Sequence, residues 1–123
     1  MRFPATIAAA ALTLAAATSA YAAEPFGTWT RPSTGTQVSF YDCGGKLCGK
    51  VVGVKDQTKK DTIGKVIMTG AAKSGDNIWK GDLLNLEDGK TYAGVVTLEG
   101  PKALNLKGCA LAGLICKDET WTK

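Results

Sequence analysis

The sequence predicts an all-β protein, a small antiparallel up-and-down β-barrel of about eight strands. Apolar and polar residues alternate over short runs, which is typical of half-buried strands. Gly, Asp and Asn interrupt these runs at regular intervals, which is typical of hairpin turns in barrels and sandwiches. A barrel is favoured because closing the sheet on itself removes its exposed edges.

The strands are expected near residues 26–31, 36–43, 47–54, 64–70, 76–84, 90–99, 102–110 and 114–122. The assignment is open at 63–72, where Val66, Ile67 and Met68 also suit a short helix. The segment from Asp56 to Asp61 is the one clear polar loop. Nothing else in the pattern predicts a linker or a second domain.

Residues 1–22 have the pattern of a cleaved secretory signal peptide. Arg2 precedes an Ala-rich apolar stretch, and small residues precede a cut after Ala22. We therefore expect one domain, 23–123, in the periplasm or secreted. With Arg2 removed, 14 Lys and Arg stand against 11 Asp and Glu, a net charge of +3. No later apolar stretch approaches the ~20 residues that a membrane-spanning helix needs.

The composition excludes several classes of function. The chain has no histidine, which excludes His-based catalysis and mixed Cys/His metal sites. No motif joins an acid, a lysine or a tyrosine to a nucleophile, so no catalytic residue and no enzymatic activity are expected. The lysines are scattered rather than clustered, which argues against nucleic-acid binding. A monomer without cofactor or metal ion is expected.

Four cysteines, Cys43, Cys48, Cys109 and Cys116, are expected to form disulfides. An even count in a small exported chain favours two bridges, because the compartment is oxidising and the core is small. The alternative is a four-thiolate zinc site, which usually has two C-x2-C pairs. The spacings here are C-x4-C and C-x6-C, which argues against zinc.

Two turns predict which cysteines pair. A type II′ turn over Gly44–Leu47 sets the first two cysteines opposite each other and Phe40 opposite Val51. A turn centred on Ala112-Gly113 does the same for the last two. It also directs Glu119 to the apolar face, either as a residue at the barrel mouth or because a bulge shifts the register. Opposed residues approach to nearly the Cβ separation of a disulfide. The expected bridges are therefore Cys43–Cys48 and Cys109–Cys116.

A third turn, of type I′ at Asp88-Gly89, sets Leu83 opposite Gly94. In the hairpins at Gly44–Leu47 and at Asp88-Gly89, large residues share a face with glycines, which permit tight bending. This inner face either fills the barrel or lines a cavity for one small ligand, and the short strands favour filling. The residues that would line such a cavity are Phe40, Trp79, Leu83, Tyr92, Val96, Leu104 and Glu119.

Gly27-Thr28-Trp29 resembles the G-x-W start of lipocalin-like barrels. The resemblance implies that this Trp closes one end of the barrel beneath a basic side chain. Trp29 and Trp121 are expected in the core at a barrel end, since aromatic residues dominate small cores. Lys123 or Arg31 would lie over one of them as a cation–π partner.

A wider set of motifs resembles the secreted bacterial proteins catalogued as domain of unknown function 2147. The resemblance covers nearly all of residues 24–123 and implies an exported, barrel-like domain without a known reaction. Members usually end in Trp-Thr-Arg, so Lys123 weakens any guanidinium stacking here. The motifs are Gly27-Thr28-Trp29, Cys43-x4-Cys48-Gly49-Lys50-Val51-Val52, Asp88-Gly89-Lys90-Thr91-Tyr92, Leu104-x-Leu106-Lys107-Gly108-Cys109 and Thr120-Trp121-Thr122-Lys123.

Two hypotheses of function follow from the sequence. The first is a non-enzymatic binding or accessory module for a small apolar or amphipathic ligand in the cell envelope. The alternative is a protein–protein interaction module with a filled barrel, inhibitor-like or an envelope-stress factor. It would bind through the apolar hairpin tip at Leu111 and Leu114. The volume inside the barrel distinguishes the two.

Overall fold

Eight antiparallel strands follow one another in chain order around a closed barrel in the computed structural model, which describes residues 24–123. The predicted fold class is confirmed. The expected signal peptide, 1–22, lies outside the described residues. The strands are β1 Gly27–Thr30, β2 Gln37–Asp42, β3 Leu47–Gly53, β4 Val66–Gly75, β5 Ile78–Asn85, β6 Lys90–Gly100, β7 Ala103–Ala110 and β8 Ile115–Thr122, with 3-10 turns at Gln57–Thr62 and Leu111–Gly113.

The up-and-down order gives the barrel two different ends. The connections after β1, β3, β5 and β7 gather at one end, which we call the mouth. The tight turns after β2, β4 and β6 gather at the other, which we call the closed end. The chain enters β1 at the closed end, and β8 runs from the mouth back to it.

The predicted register of β7 with β8 is confirmed. Cys109 pairs with Cys116, and Leu106 pairs with Glu119. The predicted registers of the β2–β3 and β5–β6 hairpins are wrong by two residues. In the β2–β3 hairpin, Phe40 pairs with Gly49 instead of Val51. In the same way Leu83 pairs with Tyr92 instead of Gly94. A two-residue shift leaves every side chain on its predicted face, because the side-chain period of a strand is two.

The turns explain both shifts. Gly44 and Gly45 both have positive φ, 76° and 85°, as the two central residues of a type I′ turn require. The β2–β3 turn is therefore centred one residue earlier than the predicted type II′ turn. The β5–β6 loop is longer than two residues, because the Asn85 carbonyl accepts from Gly89 N at 2.8 Å and its side chain accepts from Glu87 N at 2.9 Å.

Both expected disulfides are present and clip hairpins at opposite ends of the barrel. Cys109 and Cys116 are direct cross-strand partners, with Cα atoms 4.1 Å apart, near the mouth. Cys43 and Cys48 are diagonal neighbours at the closed end, 5.9 Å apart, because Cys48 pairs with Tyr41. By loop-closure entropy each bridge contributes roughly 2 kcal/mol.

The ambiguous segment 63–72 contributes to strand β4. Gly49 pairs with Met68 but Lys50 pairs with Val66, so Ile67 is an extra residue in the ladder. This bulge allows Ile67 and Met68, which are adjacent in sequence, both to be buried. The same pair of buried neighbours interrupts the alternation and made a helix equally plausible from the sequence.

The barrel wall is tightest where Gly81 pairs with Gly94. A Cβ added to Gly94 would lie 2.8 Å from the carbonyl oxygen of Gly81 and from the Cβ of Leu83. A Cβ added to Gly81 would lie 2.7 Å from the Cα of Ala71. The two glycines therefore let neighbouring strands and inward side chains approach closely at this point.

Replacing Gly94 by Ala is therefore expected to lower the free energy of unfolding by about 1–3 kcal/mol through overpacking. The matched control is Gly100→Ala, since a Cβ there meets nothing within 4 Å. Urea unfolding followed by tryptophan fluorescence measures both. Equal stability of the two variants would contradict the close approach at Gly94.

Candidate functional site

A cavity of about 1110 Å³ opens at the mouth of the barrel. Its wall and floor are apolar and its rim is polar. The volume is slightly above the roughly 300–1,000 Å³ usual for ligand sites. The expectation of a filled barrel therefore holds only for the closed half. The apolar lining includes Val38, Val51, Ile67, Leu83, Leu106 and Trp121, and the charged rim includes Arg31, Lys59, Glu87, Asp88, Lys117 and Glu119.

The seven residues expected to line a cavity divide into three groups. Leu83, Tyr92 and Glu119 line the cavity. Phe40, Val96 and Leu104 are fully buried in the closed half. Trp79 is half-buried beside a smaller groove of about 300 Å³ at the closed end, where Lys73 Nζ lies 5.7 Å from its ring centre.

The closed end is sealed by aromatic rings and one lysine. Trp29 is fully buried, and its Nε1 donates to the Pro25 carbonyl at 2.8 Å. Lys123 Nζ lies 5.1 Å from the centre of the Trp29 ring and donates to the Phe26 carbonyl at 2.6 Å. Trp121 packs against the Phe40 ring with centroids 6.1 Å apart. Of the two cations considered from the sequence, Lys123 takes the place over Trp29 and Arg31 does not.

Arg31 instead lies at the mouth and joins three parts of the barrel. Its Nε is 2.8 Å from Glu119 Oε1 on β8, and its Nη1 is 3.2 Å from Glu87 Oε1 in the β5–β6 loop. The β1–β2 and β5–β6 connections lie on opposite sides of an eight-stranded barrel. The Arg31–Glu87 ion pair therefore bridges the mouth.

This role of Arg31 was not predicted from the sequence, although two signals pointed to it. Arg31 is the one arginine in residues 24–123 and follows directly on β1. Glu119 was the one acid that the hairpin register turned toward the apolar face. An inward carboxylate needs a cationic partner, and arginine suits such pairs best.

Both carboxylate oxygens of Glu119 are occupied. Oε1 accepts from Arg31, and Oε2 accepts from the backbone N of Ser33 at 2.9 Å. Burial is the largest single influence and raises the pKa of Glu119, but the hydrogen bonds from Arg31 and Ser33 together outweigh it. The pKa is lowered overall, so Glu119 is held as a structural anion and is a poor proton donor.

A second pair fixes the β5–β6 loop at the rim. The Tyr92 hydroxyl donates to Asp88 Oδ2, and the Lys90 backbone N donates to Asp88 Oδ1 at 2.8 Å. The bond from Tyr92, and then that from Lys90, lower the pKa of Asp88. The same bond to Asp88 raises the pKa of Tyr92. Neither group is poised to exchange a proton near neutral pH.

The cavity combines an apolar wall with a polar rim. Within residues 24–123 no group of three or more His, Cys, Asp or Glu is arranged to hold a metal ion. All four cysteines are in disulfides. No helix in this part of the chain is long and apolar enough to cross a membrane. An apolar wall beneath a polar rim suits a molecule with an apolar body and a polar end.

Comparisons with known proteins agree with this architecture. A sequence profile of the family described as "Uncharacterized protein conserved in bacteria (DUF2147)" matches residues 27–123. None of the curated protein sequences matches. Among solved structures, HP1028 from the human pathogen Helicobacter pylori, described as belonging to the lipocalin family, superposes with a TM-score of 0.69 at 22% identity. The alignment covers 83% of this chain and 84% of that one, which shows a lipocalin-type fold.

Replacing Glu119 by Gln is expected to lower the free energy of unfolding at pH 7 by about 1–2 kcal/mol, since a charge-assisted bond is lost. Because folding lowers the pKa of Glu119, its contribution is present above the pKa of the unfolded chain. That contribution disappears as the pH falls through the folded-state pKa. The difference between wild type and variant should therefore shrink below about pH 4.

Urea unfolding at pH 7 and at about pH 3 measures this difference. The control is Glu99→Gln, because Glu99 is exposed on β6 and makes no ion pair within residues 24–123. A Glu119→Gln effect that is equal at both pH values would contradict the role of the carboxylate charge.

Proposed function

Since the chain belongs to this DUF2147 family and its barrel is of the lipocalin type, we propose that it is a non-enzymatic module that binds one small apolar or amphipathic ligand in the cell envelope. The observation that carries the proposal is the cavity of about 1110 Å³ with its apolar wall. One chain supplies the whole cavity, so a monomer suffices. Transferring an apolar ligand from water to this wall is favourable in proportion to the apolar area buried.

The rim supports the choice of an amphipathic ligand. The Arg31–Glu87 pair is partly exposed, with side-chain accessibilities of 29% and 46%, and such pairs contribute little stability. A polar ligand group can therefore replace Glu87 or bind beside it at small cost. The Arg31–Glu119 pair would meanwhile keep the wall in place.

The arrangement supports binding rather than catalysis. The cavity lining contains neither a histidine nor a free cysteine. Its most inward acid, Glu119, uses both oxygens in structural bonds. Nucleophilic catalysis needs an activated nucleophile beside a general base, and the lining offers no such pair.

The cell envelope is proposed from the two disulfides and the leader-like N-terminus. Disulfides persist in oxidising compartments such as the periplasm or the outside of the cell. The charged start, apolar stretch and small residues before Ala23 match a secretory signal.

Ligand binding is tested by titration with the apolar fluorophore N-phenyl-1-naphthylamine. Leu83→Asn and Leu86→Asp, both in the cavity lining, should each raise Kd at least about tenfold, because each removes apolar contact worth over ~1.4 kcal/mol. Val52→Asn, on the exposed outer face, should leave Kd unchanged.

Thermal unfolding of each variant verifies that the barrel is intact. Native mass spectrometry of the wild type purified from its own envelope looks for a co-purifying ligand. A wild type that neither brightens the fluorophore nor carries a ligand would refute the binding function.

Export is tested by expressing the whole chain in a bacterium with a periplasm. The periplasmic protein is expected to start at Ala23, and Ala20→Arg should retain the leader because a large charged residue blocks the cleavage site. Intact-mass measurement of the wild type and of the Ala20→Arg variant shows whether residues 1–22 have been removed from each. Recovery of the uncleaved wild-type chain from the cytoplasm would contradict export.

A further inference from the structure

Exposed apolar side chains gather at the mouth of the barrel. Within residues 24–123 the closed end has one large exposed apolar side chain, Phe26, whereas the mouth end has six: Val52, Ile63, Val66, Leu111, Leu114 and Ile115. Leu114 and Leu111 are the most exposed, at 84% and 66%. Both belong to the β7–β8 tip, residues 111–115. Exposed apolar groups concentrated at one end of a barrel indicate a contact surface there.

The β7–β8 tip has a fixed and costly shape. Leu111 and Ala112 have positive φ, 52° and 56°, although neither is glycine. The Leu114 N donates to the Leu111 carbonyl at 3.1 Å, and Cys109–Cys116 closes the hairpin just below. Backbone strain of this kind clusters at functional sites. Here it holds two leucines outward beside the cavity opening.

Across the mouth, the β3–β4 connection, residues 54–65, combines the exposed Ile63 with four lysines, Lys55, Lys59, Lys60 and Lys65. None of these lysines makes an ion pair within residues 24–123. Asp56 in the same segment bonds Thr58 N and Oγ1, at 3.0 and 2.6 Å. Asp61 is the second acid of the segment, so four lysines against two aspartates leave it a net charge of +2 beside an apolar side chain.

The same combination flanks the β7–β8 tip. Lys107 and Lys117 lie on either side of it, and the one acid beside them is Asp118, the cross-strand partner of Lys107. Three other acids of the mouth are bound by neighbouring side chains, Glu87 and Glu119 by Arg31 and Asp88 by Tyr92. Two opposite sides of the opening therefore present apolar and basic groups together.

We propose that the mouth docks on an anionic lipid surface. The leucines of the β7–β8 tip enter the boundary between headgroups and acyl chains, and the lysines lie among the phosphates. The cavity then opens toward the bilayer, so an apolar ligand passes between bilayer and barrel without crossing water. This passage rests on the proposed binding function, whereas the docking itself does not.

Lipid is favoured over a protein partner by the residue types at the mouth. Protein interfaces are depleted of lysine and anchored by buried aromatic residues. The exposed apolar residues at the mouth are all aliphatic and are accompanied by unpaired lysines. Each lysine beside an anionic surface strengthens binding about fivefold.

The test is co-sedimentation with phosphatidylcholine vesicles, with and without added phosphatidylglycerol. The wild type should bind the anionic vesicles and lose binding as the salt concentration rises. Leu111→Asn with Leu114→Asn should weaken binding at least about tenfold, because two apolar contacts are lost. Asn also tolerates the left-handed backbone at 111, so the tip keeps its shape.

Paired lysine variants distinguish the effect of net charge on binding from the effect of the position of the lysines in the barrel. Lys55→Glu with Lys60→Glu, at the mouth, should also weaken binding at least about tenfold. Lys46→Glu with Lys102→Glu, at the closed end, changes the net charge equally and should have a much smaller effect. Phe26→Ser is the closed-end control for the apolar loss.

Equal losses from mouth and closed-end variants, or no binding by the wild type, would overturn the docking proposal. So would a protein captured by crosslinking through the β7–β8 tip when vesicles fail to bind. N-phenyl-1-naphthylamine titration of the same variants without vesicles should give wild-type Kd values. A wild type that fails in that titration and carries no co-purifying ligand refutes the binding function instead, so the two proposals fail separately.

Discussion

Side chains, more than a strand ladder, close this barrel. Strand β1 has four residues, and its register with β8 consists of one pair, Thr30 with Thr122. Every other neighbouring pair of strands shares a longer ladder. Two cations reinforce the seam: Lys123 reaches Trp29 and the Phe26 carbonyl at the closed end, and Arg31 reaches Glu119 toward the mouth. The closed barrel, and with it the cavity, depends on this short contact between β1 and β8.

The two ion pairs of Arg31 differ in how much they stabilise the barrel, because they differ in exposure to solvent. Glu119 receives Arg31 and the Ser33 N in a partly buried position, where a charge-assisted bond is strong. Glu87 is 46% exposed, where an ion pair contributes little. Arg31 therefore binds Glu119 in the barrel wall strongly and Glu87 across the opening weakly. Loss of the Arg31–Glu87 pair would therefore leave the Arg31–Glu119 bond in place.

The sequence predicted the strands and faces better than the hairpin registers. The β7–β8 register was right because two cysteines and a Lys–Asp pair, Lys107 with Asp118, constrain it independently of the turn. The other two registers depended on turn type alone, and glycine suits more than one turn position. At Gly44-Gly45 the conformation was type I′. The side chains predicted to face inward do so despite both errors, because each register was shifted by two residues.

The cavity lay beyond such reasoning, because alternation tells which face a residue occupies and not how far its side chain reaches. Phe40 and Leu83 share the inner face, yet Phe40 packs over Gly49 in the closed half while Leu83 borders open space. Whether a barrel is filled depends on the sum of side-chain volumes at each level. Arg31 is a similar case, since its two partners are 56 and 88 residues away in sequence.

The unequal filling also divides the stability of the barrel between its ends. The closed end relies on buried rings and on a lysine that binds a carbonyl and a ring. The mouth relies on carboxylates, Glu119 under Arg31 and Asp88 under Tyr92, whose pKa values folding lowers. Stability linked to a lowered pKa is lost as the pH falls through its folded value. Acid therefore weakens the contacts of Glu119 and Asp88 at the mouth.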